Sequence, residues 1–273
     1  MEEYIADIKQ IQKLNLEMMK EFDKFCRENK IKYYLAGGTL LGAVRHKGFI
    51  PWDDDVDIMM LRKDYDKLIA LKSKIKNENP ERQLVSVRDK TFARDYARYI
   101  RKDYSKIENH VEENDCPYLG MDIFPILFVP TIDFLYWLHV KFYYIFRVLM
   151  SIATSKANTG TTKFRRIIRN ILRPLTQMIG KYRIARWCEI IGGIYHKFCK
   201  QSVAAMSGAA GLKERWKYSD CIEQIELNFE DTQFWAPLNY DIHLKTLYGD
   251  YMKLPPEDKR ITHGIRTVSY THL

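Results

Sequence analysis

The chain has 273 residues, 46% hydrophobic and 29% charged, with a net charge of +9. That balance fits one large folded domain or two small ones and excludes a disordered or collagen-like chain. Five cysteines (26, 116, 188, 199 and 221) form no CxxC pair, which points to reduced cytosolic thiols rather than a disulfide framework; a zinc site built on Cys116 has no supporting spacing.

In chain order, residues 4–28 predict an amphipathic helix with Ile8, Ile11, Asn15, Met18, Phe22 and Phe25 near one face. This opening lacks the basic and apolar regions of a signal peptide, so a cytoplasmic chain is expected. Tyr33–Ala36 reads as a short strand broken by Gly37-Gly38, after which Thr39 can cap a helix over Leu40–Arg45. Asp55–Met59 alternates as a strand, Lys63–Ile75 returns to helix, and Gln83–Val87 and Phe92–Arg101 read as strands. Met121–Phe124 is another strand, ending at Pro125.

The pattern then changes. Residues 131–153 are rich in aromatics, but Asp133, His139, Lys141 and Arg147 interrupt them, so no run reaches the ~20 apolar residues of a spanning helix. Residues 163–180 predict an amphipathic helix kinked at Pro174. Phe164, Ile167, Ile168, Ile171, Leu172, Leu175, Met178 and Ile179 form its apolar face, opposite Lys163, Arg165, Arg166, Arg169 and Arg173. Lys163–Lys200 holds ten Lys/Arg against one acid, Glu189, a net charge equal to that of the whole chain. A helix is expected from Tyr240 to Leu247, and no element is evident after His263. The predicted organisation is a mixed core over 1–130, a helical basic and aromatic insert over 131–205, and a return to the core over 206–273.

The segment GGTLLGAVRHKGFIPWDDDVDIMM, Gly37 to Met60, concentrates the chemistry. Strand alternation turns Asp55 and Asp57 to one face, with Val56 and Ile58 packed inward. Asp53 continues that face if the strand starts early; otherwise Asp53 and Asp54 shape the turn. Adjacent carboxylates repel unless a cation or a shared proton lies between them. Mg²⁺, with Mn²⁺ as its substitute, suits such a pair, since it takes one or two carboxylates plus substrate phosphates. An EF-hand fits poorly, because Ile58 occupies the position where that loop has Gly. A solvated acidic turn is the competing reading. Gly37-Gly38 lets backbone N–H groups approach a phosphate, or simply turns the chain. Arg45 is a phosphate clamp or a surface charge at a helix end. A phosphate turn followed by a metal-type carboxylate pair describes a phosphoryl-transfer site.

These residues resemble the signature of the LicD family, which includes the fukutin-related proteins, within the nucleotidyltransferase-fold superfamily. The superfamily pattern reads here as Gly37-Gly38, a long spacer containing RHKGFIPWDDD, and Asp55-Val56-Asp57-Ile58. GMDIFPI (120–126) and YGDYMKLPP (248–256) fit the same family. The resemblance covers roughly 30–130 and 225–263 and leaves the insert unexplained. It implies an α+β fold: a nucleotidyltransferase-like mixed sheet core flanked by helices, here with a basic amphipathic helical insert. It implies Asp122 as a third carboxylate, completing a metal set of Asp55, Asp57 and Asp122 or accepting a proton. A charge between Met121 and Ile123 is rarely left unpaired, so a structural salt bridge is the alternative.

By the same resemblance the chain would move a phospho-alcohol group, phosphocholine first, from a CDP-activated donor to a glycan hydroxyl, releasing CMP. The acceptor would be a lipopolysaccharide, teichoic acid or polyprenyl-linked glycan. Gly37, Gly38, Thr39 and Arg45 would position phosphates. Lys259, Arg260 and His263 resemble the family's basic C-terminal patch, although a solvated basic tail is the plainer reading. Trp52 stacks on the donor base or packs beside Pro51. The segment 163–200 would lie on an anionic membrane at its inner face, or pack on the core with its charged side solvated. Nucleic acid is not expected, since no binding motif accompanies the charge. Two other readings stand beside this one: a nucleotidyltransferase releasing pyrophosphate, and a non-catalytic glycan- or membrane-binding module with a vestigial site.

Overall fold

A computed structural model describes residues 3–5, 7–107, 116–156, 162–260, 262 and 266–269. The chain begins with β1 (Glu3–Ile5), α1 (Ile8–Glu28), β2 (Tyr34–Leu35), α2 (Gly37–Arg45) and β3 (Asp57–Leu61). There follow α3 (Arg62–Ala70), α4 (Lys72–Glu78), β4 (Arg82–Val85), β5 (Ala97–Ile107) and β6 (Tyr118–Val129). Three helices come next, α5 (Asp133–Thr154), α6 (Lys163–Ile179) and α7 (Lys181–Gly192). The chain closes with β7 (Ser202–Ala204), β8 (Arg215–Lys217), α8 (Tyr218–Ile222), β9 (Gln224–Phe229), β10 (Thr232–Pro237), α9 (Tyr240–Tyr248) and β11 (Arg266–Ser269).

The main sheet runs β1-β11-β5-β6-β3-β2, with β4 also on β5. β3 and β6 are parallel and the other pairs antiparallel, so the α+β class with a mixed sheet is the class observed. One face of the sheet packs on α1. Ile58, Met60, Met121 and Ile123 meet Met18 and Phe22 in one buried cluster, each side chain contributing about 1.5–3 kcal/mol. The residues that alternate with them turn to the opposite face, Asp57 and Asp122 among them. Leu127 and Val129 at the far end of β6 pack with Tyr136, Tyr143, Ile184 and Cys188, seating α5 and α7 on the sheet.

Several element boundaries differ from those the sequence suggests. Asp7 caps α1, accepting from Lys9 N–H at 3.0 Å, so the preceding residues are released to pair as β1 with β11. β11 itself lies beyond His263, where no element was expected. The 63–75 helix is two helices, broken at Leu71. β6 runs through Pro125 to Val129. Asp122 N–H donates toward β3, to Val56 O at 3.0 Å, so position 125 faces the other edge. There β5 pairing stops at Ile123 and β7 pairing starts at Leu127. The missing proline N–H falls in that gap and forfeits no ladder bond.

Candidate functional site

The acidic segment is held from behind by α1. Gln12 Nε2 donates to Ile50 O at 3.1 Å and to Asp53 O at 2.9 Å, and Asn15 Nδ2 donates to Asp54 O at 3.0 Å. Both side chains are buried, and an unmade hydrogen bond there costs more than a made one contributes. Asn15 on the predicted apolar face was the one sequence signal of this support. Asp54 is buried and turned away, while Asp53, Asp55 and Asp57 line one cavity. The alternation therefore begins earlier than β3 itself, and Asp53 belongs to the site rather than only to the turn.

Register builds the rest. Asp57 on β3 lies directly across from Asp122 on β6, and Asp122 directly across from Arg98 on β5. Opposite residues share a face, so the three form a row. Arg98, itself buried, donates to both oxygens of Asp122, at 2.6 and 3.2 Å. Arg98 was not singled out in the sequence, because nothing local marks a strand arginine as the partner of a residue twenty-four positions on.

The N-terminus of α2 closes the acidic end. Gly37 adopts φ +50°, and a Cβ there would meet Asp57 Oδ2 at 2.8 Å; at Gly38 it would meet Asp53 Oδ2 at 2.5 Å. Glycine is therefore required by close approach at both positions and by backbone conformation at the first. Thr39 is not the helix cap, since α2 starts at Gly37. Its hydroxyl is buried and accepts from Asp57 N–H at 2.9 Å, so it fixes the carboxylate's backbone and does not line the cavity.

The opposite wall comes from far along the chain. The cavity, of about 550 Å³, is also lined by Tyr96, Phe124, Arg147, Ser207–Ala210, Glu214, His243 and Tyr248. Arg147 on α5 donates to Gly208 O at 2.6 Å. Buried Asp95 accepts from Tyr143 and from Ser207, the latter at 2.8 Å, tying α5 to the same wall. His243 stacks on Trp216 with 4.1 Å between ring centroids, and burial pushes its pKa down to about 4.

The other sequence-predicted residues lie outside this lining. Arg45 donates to Tyr251 O at 2.8 Å and to His46 at 2.9 Å, clasping the segment after α9. Trp52 packs on the core and under Arg260, whose guanidinium stands 5.2 Å over its ring. Lys259 is exposed. The structure thus does not bring Arg45, Trp52, Lys259 or Arg260 to the carboxylates, and His263 lies outside the described residues.

Electrostatics suit a cation. Burial, then repulsion from Asp55, Asp122 and Asp53, pushes the Asp57 carboxyl well above the usual carboxylate range. Burial, then Asp55, both as a like charge and as a hydrogen-bond partner, pushes Asp53 up to about 8. Arg98 is spent on Asp122, so a divalent ion is the natural relief for the remaining charge. Among the described residues no group of three His, Cys, Asp or Glu side chains is placed to hold a metal ion, so Asp55, Asp57 and Asp122 do not stand as the three-carboxylate metal set expected from the sequence; Arg98 already occupies both oxygens of Asp122.

Residues 30–148 match the model of the LicD/FKTN/FKRP family, nucleotidyltransferase domain. The chain is 27% identical over 252 residues, 92% of its own length and 93% of the relative's, to the lipopolysaccharide cholinephosphotransferase LicD of Haemophilus influenzae. A stretch of 34 residues is 53% identical to the ribitol 5-phosphate transferase FKRP of Homo sapiens, covering 12% of this chain and 7% of that one; the Mus musculus protein matches equally.

Proposed function

We propose, from the match of residues 30–148 to the LicD/FKTN/FKRP nucleotidyltransferase domain, that the chain transfers a phospho-alcohol group from a CDP-activated donor to a glycan hydroxyl, releasing CMP. The observation that carries this reading is the meeting of Gly37, Gly38, Asp55, Asp57 and Asp122 at one end of a single cavity. Phosphocholine is the group assigned. Tyr96, Phe124 and Tyr248 line the cavity, an aromatic surround that attracts a quaternary ammonium. The similarity to a cholinephosphotransferase supports the same choice.

Asp55 and Asp57 would hold Mg²⁺, or Mn²⁺ in its place, beside the donor diphosphate. The ion supplies charge neutralisation and polarises the phosphoryl oxygens. The rest is positioning by this chain's own groups. N–H groups at the start of α2 and the Arg147 guanidinium approach the phosphates. Asp122, spanned by Arg98, closes the row. Asp53, beside Asp55, takes the acceptor's proton. The acceptor oxygen bonds to the phosphorus bearing the alcohol as that phosphorus loses its bond to the diphosphate bridge oxygen, and CMP departs with the bridge oxygen.

The test is a thermal-shift series with Mg²⁺ and CDP-choline, CDP-ribitol or CDP-glycerol, followed by product analysis with a glycan acceptor. CDP-choline should raise the melting temperature most and CMP should accumulate. No shift with any CDP-alcohol, or release of pyrophosphate from a nucleoside triphosphate instead, overturns the reading.

A further inference from the structure

The helix α6 leaves most of its apolar stripe uncovered. A soluble amphipathic helix turns its apolar stripe toward the core. Here that stripe is outermost, with Phe164 71% exposed, Ile171 68% and Met178 78%. The side turned to the protein is mixed, with Ile179 packed on the α5–α7 cluster among polar groups. Thr176 is fully buried, Arg169 donates to Ser151 of α5 at 3.4 Å, and Arg173 lines a cavity between α6, α7 and the end of α5. The charged side is solvated in part, with Lys163, Arg165 and Arg166 exposed; what departs from the usual soluble packing is the apolar side left uncovered. α5 packs against α6 and adds Phe134, Trp137 and Phe142, each between 43% and 67% exposed. Apolar surface of this extent marks an interaction face.

We propose that this helical layer docks on an anionic lipid bilayer, with α6 lying in the interface and Phe164, Ile167, Ile171 and Met178 among the acyl chains. Charge selects this occupant. The segment Lys163–Lys200 holds ten Lys/Arg and one acid. That acid, Glu189, is buried and accepts from Arg88 at 2.9 Å and from Arg186, so it offsets those two cations and leaves the others of the segment in excess. The adjoining cavity, of about 790 Å³, is lined by Arg88, Lys90, Arg173, Lys181, Arg183 and Arg186 and by no carboxylate; it suits lipid phosphates. A second copy of the chain would bring two strongly positive layers together, whereas anionic lipid neutralises both layer and cavity. Among the described residues no helix is long and apolar enough to cross a membrane, so the layer lies on the bilayer and does not span it.

The proposal stands independently of the transfer reaction. Its test is flotation of the full chain with vesicles of phosphatidylcholine alone and of phosphatidylcholine mixed with phosphatidylglycerol. The chain should float with the anionic vesicles, detach as salt is raised, and show a blue shift of tryptophan emission. F164D/I171D should stop floating while keeping the wild-type melting temperature, and R166E/R183E should lose the preference for anionic lipid. Failure of the wild-type chain to float, or equal flotation of F164D/I171D, overturns the proposal. So does a dimer in solution that F164D/I171D converts to monomer without any vesicle binding by the wild type, which would assign the face to self-association.

Discussion

Arg98 grips both carboxylate oxygens of Asp122 from the register position directly across β5 and β6, while Asp57 faces Asp122 from the other side. The third site carboxylate is thus also half of a buried ion pair. The structural salt bridge, the alternative reading of Asp122 from the sequence, is therefore present, on a side chain that also lines the candidate cavity.

Removing the arginine strands Asp122 beside Asp57. Arg98→Met should cost roughly 3–5 kcal/mol, the usual penalty for breaking a buried pair, measured by urea unfolding. Asp122→Asn should cost less, because it also removes one source of repulsion on Asp57. An Arg98→Met variant as stable as the wild type would contradict the role given to the pair.

Asp55→Asn and Asp57→Asn should separate activity from stability. Loss of a group that orders charge at the phosphoryl centre typically costs about 10²–10³-fold in rate, so CMP release should fall by at least that factor. The melting temperature of the metal-free protein should hold or rise, since one repelling charge is gone. In the same assay, chelation of divalent ions should reduce the wild type to the variants' level.

Gly37→Ala places a Cβ 2.8 Å from Asp57 Oδ2 in a left-handed backbone position. The conformation alone costs roughly 1–2 kcal/mol, and the carboxylate must move. Gly38→Ala, which would press on Asp53 Oδ2 at 2.5 Å, should spare more stability yet still weaken donor binding. Thermal melting and CDP-choline titration of the pair distinguish strain from displacement.

Asn15→Ala should destabilise the chain by about 1–3 kcal/mol, the cost of an unsatisfied buried acceptor, here Asp54 O. Because the loop it pins carries Asp53 and Asp55, the Mg²⁺ concentration needed for half-maximal activity should rise as well. A stability loss with an unchanged metal requirement would separate the α1 support from the site.

His243 gives a pH signature. Its pKa falls to about 4 in the fold by burial, from an ordinary 6.5. The unfolded chain therefore binds the extra proton first, and stability should drop as pH falls from about 6.5 toward 4. His243→Gln should flatten that part of the melting-temperature profile. A wild-type profile with no slope in this window would show that the imidazole is not buried neutral.

Local chemistry was readable residue by residue. Gly37-Gly38, the 55/57 alternation and the charge in the Met121–Ile123 strand are short-range patterns, dictated by backbone sterics and strand periodicity. Arg98, Gln12 and the wall built by Arg147, Glu214 and His243 depend on register and long-range packing, which no local pattern encodes. The same holds for Arg45, whose position beside the motif suggested a phosphate but whose guanidinium the fold spends on Tyr251. The apolar and basic faces of α6 were likewise evident from its periodicity. How the helix is turned was decided only in three dimensions, because long-range packing and not periodicity sets its rotation: Thr176 and Ile179 meet the protein, while Phe164, Ile171 and Met178 stay outermost.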